Sequence, residues 1–564
     1  MQKSHKRLGD LLIEARLLTQ EQLEKALANQ KKTGERLGKI LMDLNFLSEK
    51  SMIEVLEFQL GIPHVDLSNR PLNRDVASVI PVTLAERHQV IPIEKTGRKL
   101  IVAMVDPTNF YAIDDIRIMS GYDVEPVIAT EKDILRGIRE VYGVRELVEK
   151  AVSQLRTEDS TEMEGMQTAD DAPIITLVNS LISQAIKDLA SDIHIEPQQK
   201  TLRVRFRVDG MLREVGNFPR DIHPALIARI KIISNMDIAE KRIPQDGRIK
   251  VQEAGRDVDL RVSTLPTILG EKVVMRVLDQ KAVILDSNKL GFSSANIEKY
   301  RQLYSQSHGI ILVTGPTGSG KTTTLYSTLS EVSSPTENIV TLEDPVEYFL
   351  HGINQVQINP KTGLTFASGL RSILRQDPNI ILVGEIRDGE TADIAIRAAL
   401  TGHLVFSTLH TNDAAGVVTR LIDMNVEPFL IASSVLGVVA QRLVRVICPE
   451  CKTNYHPKPD SLERRFLGMT KNDTVTLSLG TGCARCNQTG YRGRMAIHEV
   501  MPITATMREA INRKASSDEI GRIASQEGMQ TMCQDGIQKA LAGVTTVREV
   551  MRVAYAGGGE VRHG

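Results

Sequence analysis

The chain holds 564 residues, enough for about four domains at roughly 150 residues each. Lys and Arg total 69 against 70 Asp and Glu, a formal charge of -1, and there is no tryptophan among aromatics that make up 4%. That balance excludes an overall-basic nucleic-acid binder and, with few rings for bases to stack on, a dedicated single-strand binder. No stretch approaches the roughly 20 apolar residues that span a bilayer. The basic start, Met1-Gln2-Lys3-Ser4-His5-Lys6-Arg7, runs into an amphipathic pattern rather than an apolar signal core. A cytoplasmic, multidomain, mostly α/β protein is expected.

Residues 1–68 read as helical and carry an internal repeat. Arg7-Leu8-Gly9 recurs as Arg36-Leu37-Gly38, a shift of 29 that also carries Leu27 to Leu56 and Gln30 to Gln59. Thr19 and Ser48 are N-cap candidates, and Thr19 has Gln22 three residues on, a capping-box pattern. Leu23, Leu27 and Gln30 then share one helix face, and a glutamine ending an apolar stripe twice is odd if the stripe only packs. The symmetry suggests a pseudo-twofold surface with a guanidinium and an amide in each half, suited to a twofold dinucleotide; the bland alternative is a helical adaptor that docks on a membrane-protein tail.

Residues 69–145 mix short strands, Val90-Ile91-Pro92-Ile93 and Leu100-Ile101-Val102-Ala103-Met104-Val105, with turns such as Asp106-Pro107, and predict a small α/β subdomain. Residues 146–171 are polar and acidic and predict a flexible linker. From about 172 the α/β alternation resumes and runs almost to the end.

Gly315-Pro316-Thr317-Gly318-Ser319-Gly320-Lys321-Thr322 fits the phosphate-binding pattern, with the strand run Ile310-Ile311-Leu312-Val313 before it and Thr323-Thr324-Leu325 in a helix after it. Glycines turn backbone N–H groups towards the phosphates, Lys321 reaches the β- and γ-phosphates, and the Thr322 hydroxyl holds Mg²⁺. Downstream, Asn379-Ile380-Ile381-Leu382-Val383-Gly384-Glu385 ends an apolar strand on a carboxylate that can orient water. Between them lies the acidic box Glu343-Asp344-Pro345-Val346-Glu347, and His403 and His410 bracket a last strand. Cys448 and Cys451 face Cys483 and Cys486 across 31 residues. Two such pairs close a structural Zn²⁺ site, with a redox pair as the alternative.

This order of motifs resembles the secretion ATPase superfamily, the hexameric motors of type II secretion and type IV pili. The resemblance extends upstream through Ala190-Ser191-Asp192-Ile193-His194-Ile195-Glu196-Pro197, Arg205-Phe206-Arg207-Val208-Asp209-Gly210 and Arg242-Ile243-Pro244-Gln245-Asp246-Gly247-Arg248. It implies a PAS-like α/β domain over 172–285 and a RecA-like ATPase domain over 286–564, with a zinc module at about 445–495. It implies ATP hydrolysis with Glu385 as base, Glu343 in the Mg²⁺ and water shell, and His410 coupling γ-phosphate to neighbouring subunits. Arg205 and Arg207 are the candidates to reach phosphate from the PAS-like domain, with a basic strand face as the alternative.

The tandem repeat is similar to the cyclic di-GMP-binding N-terminal domain of mannose-sensitive haemagglutinin pilus ATPases. That likeness assigns Arg7, Leu8, Gly9, Leu27, Gln30, Arg36, Leu37, Gly38, Leu56, Gln59 and, from the second subdomain, Asp106 to the dinucleotide. The expected protein is a hexameric pilus-extension motor acting through an inner-membrane platform protein. A type II secretion ATPase is the nearest rival and a nucleic-acid translocase the more distant one.

Overall fold

The computed structural model describes residues 12–13, 17–33, 40–41, 44, 46–47, 62–67, 72, 74–77, 79–107, 109–138, 172–253, 255–279, 286–470 and 473–555. The expected linker at 146–171 lies outside them. The helix Gln20–Thr33 begins with the expected capping box: Thr19 N–H donates to Gln22 Oε1 at 2.9 Å, and Gln22 N–H donates to Thr19 Oγ1 at 3.3 Å. Leu23 and Ala26 pack into a small core with Leu12, Leu18, Ile40, Leu41 and Leu47. Leu27 is 39% exposed, so the side of the helix that carries it is not spent on this core.

Val90–Thr96 and Lys99–Met104 form an antiparallel pair, and Asp123–Ile128 adds in parallel after the crossover helix Phe110–Ser120. Asn109 caps that helix by accepting from Ala112 N–H at 3.2 Å. Ala112 and Ile116 bury its inner face against Ile91, Leu100 and Val102.

Six antiparallel strands make the next sheet, in the order Met211–Pro219, Thr201–Val208, Ala190–Pro197, Gly270–Asp279, Arg256–Thr267, Gln245–Glu253. Alternation sets its two faces. Along Thr201–Val208, Leu202, Val204, Phe206 and Val208 enter the core under the helices Ala172–Lys187 and His223–Ile233, while Arg203, Arg205 and Arg207 stand on the opposite face.

The third sheet has seven strands, ordered Asn354–Gln357, Ile339–Glu343, Ile380–Val383, Leu404–Leu409, Gly309–Thr314, Val435–Ile447, Tyr491–Pro502. All neighbours run parallel except the last pair. Strands buried on both faces need continuous apolar runs rather than alternation, as Gly309-Ile310-Ile311-Leu312-Val313-Thr314 shows. In such sheets ligands bind beyond the carboxyl ends of the strands, where the acidic and Gly-rich motifs all emerge. The cysteine segment leaves the sheet after Val435–Ile447 and returns at Tyr491–Pro502.

Polar contacts centred on Arg261 and Asp209 join the six-stranded domain to this one. Arg261 Nη2 donates to Val346 O at 2.9 Å, with Nη1 2.9 Å from Glu347 Oε2, and Asp209 Oδ2 accepts from Gly493 N–H at 3.0 Å. Among the described residues, no helix is long and apolar enough to cross a membrane.

Candidate active site

The loop 315–322 links the strand Gly309–Thr314 to the helix Lys321–Val332. Gly315 has φ +146°, and a Cβ there would lie 2.5 Å from Gln441 O and 2.7 Å from Ser319 Oγ, so only glycine closes this turn. Pro316, Thr317 and Gly318 are exposed, Ser319 is buried, and Gly320, Lys321, Thr322 and Thr323 are half-buried at the mouth of the helix. The helix Lys321–Val332 starts at Gly320 with no side-chain cap bond, so its first-turn N–H groups are available to an anion. Lys321 Nζ donates to Gly315 O at 2.8 Å and Pro316 O at 3.2 Å. Burial pulls its pKa down to about 8; Glu385 opposes that shift and Arg442 adds to it.

Behind the loop stands Gln441, 1% exposed, on the strand Val435–Ile447. Its Nε2 donates to Ser319 O at 2.8 Å and its Oε1 accepts from Thr324 Oγ1 at 2.9 Å. Next to it, Arg442 donates to Asn412 O at 2.9 Å and so fixes the segment that follows His410.

Glu385 follows the strand Ile380–Val383 and faces a guanidinium and an imidazole. Arg387 Nη2 donates to its Oε1 at 2.5 Å, and His410 Nε2 lies 3.6 Å from its Oε2. Burial and Lys321 lower the pKa of His410 while Glu385 opposes them, which keeps the ring neutral and able to accept a proton-sharing contact near pH 7. His403 is elsewhere. It stands at the other end of the strand Leu404–Leu409 and bonds Ala398 O at 2.9 Å, closing off the helix Gly389–Leu400.

The structure places Glu343 inward. It is 4% exposed and accepts from the Tyr326 hydroxyl, from Thr341 Oγ1 at 2.7 Å and from Gln355 Nε2 at 3.2 Å. Arg205 is held by Glu196 at 2.8 Å, a carboxylate also bound by Lys272 and Arg203. Burial raises the Glu196 pKa, but those three cations outweigh it and bring it to about 2. Arg207 donates to Gly210 O at 3.0 Å and lies 3.5 Å from Asp192. Both arginines are therefore committed within their own sheet, and the residue of that domain that meets the acidic box is Arg261. Sequence reasoning missed Arg261 and Gln441. Nothing local marks them, since each acts across 85 residues or more.

Cys448, Cys451, Cys483 and Cys486 come together with all four sulfurs within 4.8 Å of one another; measured pairs are 3.8, 3.9 and 3.7 Å. A tetrahedral ion with sulfurs at about 2.3 Å sets them about 3.8 Å apart, so the set fits Zn²⁺. Cys486 Sγ also accepts N–H groups of Cys483 and Gly490, both at 3.2 Å, the outer contacts that hold a thiolate ligand in place. Gly480 and Gly490 let two backbones touch behind the knuckle: a Cβ on Gly480 would sit 2.0 Å from Gly490 O.

Of the dinucleotide set, Arg7, Leu8, Gly9, Arg36, Leu37, Gly38, Leu56 and Gln59 lie outside the described residues. Leu27 and Gln30 share the helix Gln20–Thr33, and Asp106 lies in the turn after Lys99–Met104, its carbonyl accepting from Asn109 N–H at 3.2 Å.

The family model described as type II/IV secretion system protein matches residues 167–552. The chain belongs to this family of secretion ATPases. A model of the MshEN domain matches residues 60–147. The type IV pilus assembly ATPase PilB of Myxococcus xanthus is 44% identical over 560 residues, 97% of this chain and 98% of that protein. The type II secretion system protein E of Xanthomonas campestris is 42% identical over 557 residues, again 97% and 98%. The solved structure of the Yersinia pseudotuberculosis ATPase DotB, 20% identical, covers 70% of this chain and 96% of its own with a TM-score of 0.50, a likeness of fold. As a secretion ATPase, the chain is an ATP-hydrolysing enzyme of the pilus-assembly and type II secretion group.

Proposed function

We propose that this ATPase powers assembly of a type IV pilus and that cyclic di-GMP at its N-terminus governs its turnover. The observation that carries the first half is likeness over 97% of the chain to a pilus-assembly ATPase. Support for the second half is the MshEN match over 60–147, together with the paired Arg-Leu-Gly and Gln positions upstream of it.

At the nucleotide, Lys321 exchanges its loop carbonyls for the β- and γ-phosphates, and the N–H groups of Gly318, Ser319, Gly320, Thr322 and Thr323 cradle them. Thr322 supplies the hydroxyl for Mg²⁺, which when bound neutralises charge on the phosphates. Glu385 takes the proton of the attacking water once Arg387 yields, with His410 beside it as the group that senses the γ-phosphate. Glu343 holds its neighbours from within the sheet. For Arg205 and Arg207 to reach phosphate they must exchange Glu196 and Asp192 for it, which follows if rotation of the 172–285 domain against the 286–564 domain brings the nucleotide to that face. Such rotation, repeated round a hexamer, is the stroke delivered to an inner-membrane platform protein. The chain works in the cytoplasm at that membrane, with residues 146–171 joining the motor to the N-terminal subdomains 1–68 and 69–145. Four thiolates hold Zn²⁺ as a structural centre.

Deleting the gene tests the assignment. Loss of surface pili with exported enzymes unchanged supports it, whereas loss of secretion with pili intact replaces it by the type II secretion reading, which the Xanthomonas campestris relative favours.

A further inference from the structure

A buried polar chain runs from the phosphate-loop helix to the six-stranded domain. Tyr326, fully buried, lies one turn below Thr322 on the same face of the helix Lys321–Val332. Its hydroxyl donates to Glu343 Oε2 and accepts from Glu347 N–H at 3.4 Å and from Gln355 Nε2 at 3.4 Å. Gln355 in turn donates to Glu343 Oε1 at 3.2 Å and to Tyr348 O at 3.1 Å, and accepts from Leu350 N–H at 2.8 Å. The Tyr348 ring stands edge-on to Tyr326, centroids 4.9 Å apart at 89°. On the outer side of the same segment, Arg261 grips Val346 O and Glu347.

We propose that the Tyr326 hydroxyl is a positioning group that locks the phosphate-loop helix to the acidic segment 343–347, so that the domain holding that segment through Arg261 sets the position of Thr322 and Lys321. A phenol is suited to this. Its stiff ring is fixed by Tyr348, and its single oxygen can both donate to the carboxylate and accept from backbone. In a close-packed interior, a shift of the segment by a fraction of an ångström passes to the helix rather than dissipating. The Tyr326 hydroxyl is buried and bonded to Glu343, the Glu347 N–H and Gln355, so its effect falls on alignment and not on affinity. The inference rests on the nucleotide site alone and is independent of the dinucleotide at the N-terminus.

Spatial continuity is not coupling, and a mutant cycle measures it. In the full-length protein, Tyr326→Phe keeps the ring and removes the hydroxyl. Steady-state ATP hydrolysis is expected to lose about tenfold in kcat with KM for ATP unchanged within about twofold, the split of a group that acts on transition-state alignment. Arg261→Ala should also slow turnover, but added to Tyr326→Phe it should slow it little further, because the chain is already cut. Independent, multiplying losses, or a rise in KM with kcat intact, would overturn the proposal. A second measurement needs no mutant. Hydrogen exchange of the wild-type protein with a non-hydrolysable ATP analogue should slow 321–332, 339–347 and 256–267 together. Protection confined to 321–332 would equally overturn it.

Discussion

Gln441→Leu isolates the support behind the phosphate loop. The substitution keeps volume but removes the donor to Ser319 O and the acceptor for Thr324 Oγ1, leaving two polar groups buried without partners. Each stranded group costs about 1–3 kcal/mol. A helical threonine can turn its hydroxyl onto the carbonyl one turn back, here Gly320 O, so the Thr324 share falls at the low end. A total of about 2–3 kcal/mol follows, with most of it at the Ser319 carbonyl that shapes the loop. At about 1.4 kcal/mol per tenfold, KM for ATP should rise at least tenfold, and the melting temperature should drop by about 5 °C. Thr324→Val added to Gln441→Leu removes the second stranded group and should recover part of the melting temperature without restoring KM. The assay is steady-state hydrolysis against ATP concentration beside a thermal melt. An unchanged KM in a folded Gln441→Leu protein would refute the argument that this side chain shapes the loop.

Lys321→Ala should abolish hydrolysis in a phosphate-release assay while leaving the melt near wild type, and retained turnover would remove the loop from the site. Cys448→Ser should lose the metal, measured as zinc per chain by elemental analysis, and lower the melting temperature of the C-terminal half; one zinc per chain in the variant would contradict a four-thiolate centre. Glu499 is buried, and burial, with Asp413 adding, pushes its pKa up to about 7 against the N–H groups of Ala414 and Met532 and the charge of Arg442. A raised carboxyl pKa contributes stability that is present below about 4.3, its unfolded value, and lost as pH rises through 7, on the order of 3 kcal/mol in all. Melts from pH 5 to 8 should therefore show wild type losing ground to Glu499→Gln up to about pH 7 and levelling off above it, and a pH-independent gap would defeat this.

Much of the nucleotide site was legible because its parts are contiguous: strand, glycine turn, lysine and helix follow one another within 309–332, and each C-x-x-C pair carries half of the sulfur tetrahedron. The Thr19 capping box was readable for the same reason. The two histidines show the limit. Both flank one strand, yet six extended residues separate the ends by about 20 Å, so only His410, at the carboxyl end, joins Glu385. Glu343 reads as a free strand-end acid, but the direction of its side chain depends on Tyr326, 17 residues earlier, and Gln355, 12 later. Arg205, Arg207 and Arg261 all alternate on the charged face of one sheet, and sequence pattern places them there without showing which lies at the domain contact. Topology decides that, through pairings remote along the chain.

Control of the motor by a second messenger is tested most directly by calorimetric titration of cyclic di-GMP into the full-length protein, with Arg7→Ala beside it. Saturable binding by wild type that is lost in Arg7→Ala is the predicted result. Absence of heat from wild type, or equal binding by both proteins, would contradict it and return the N-terminal repeat to a docking role.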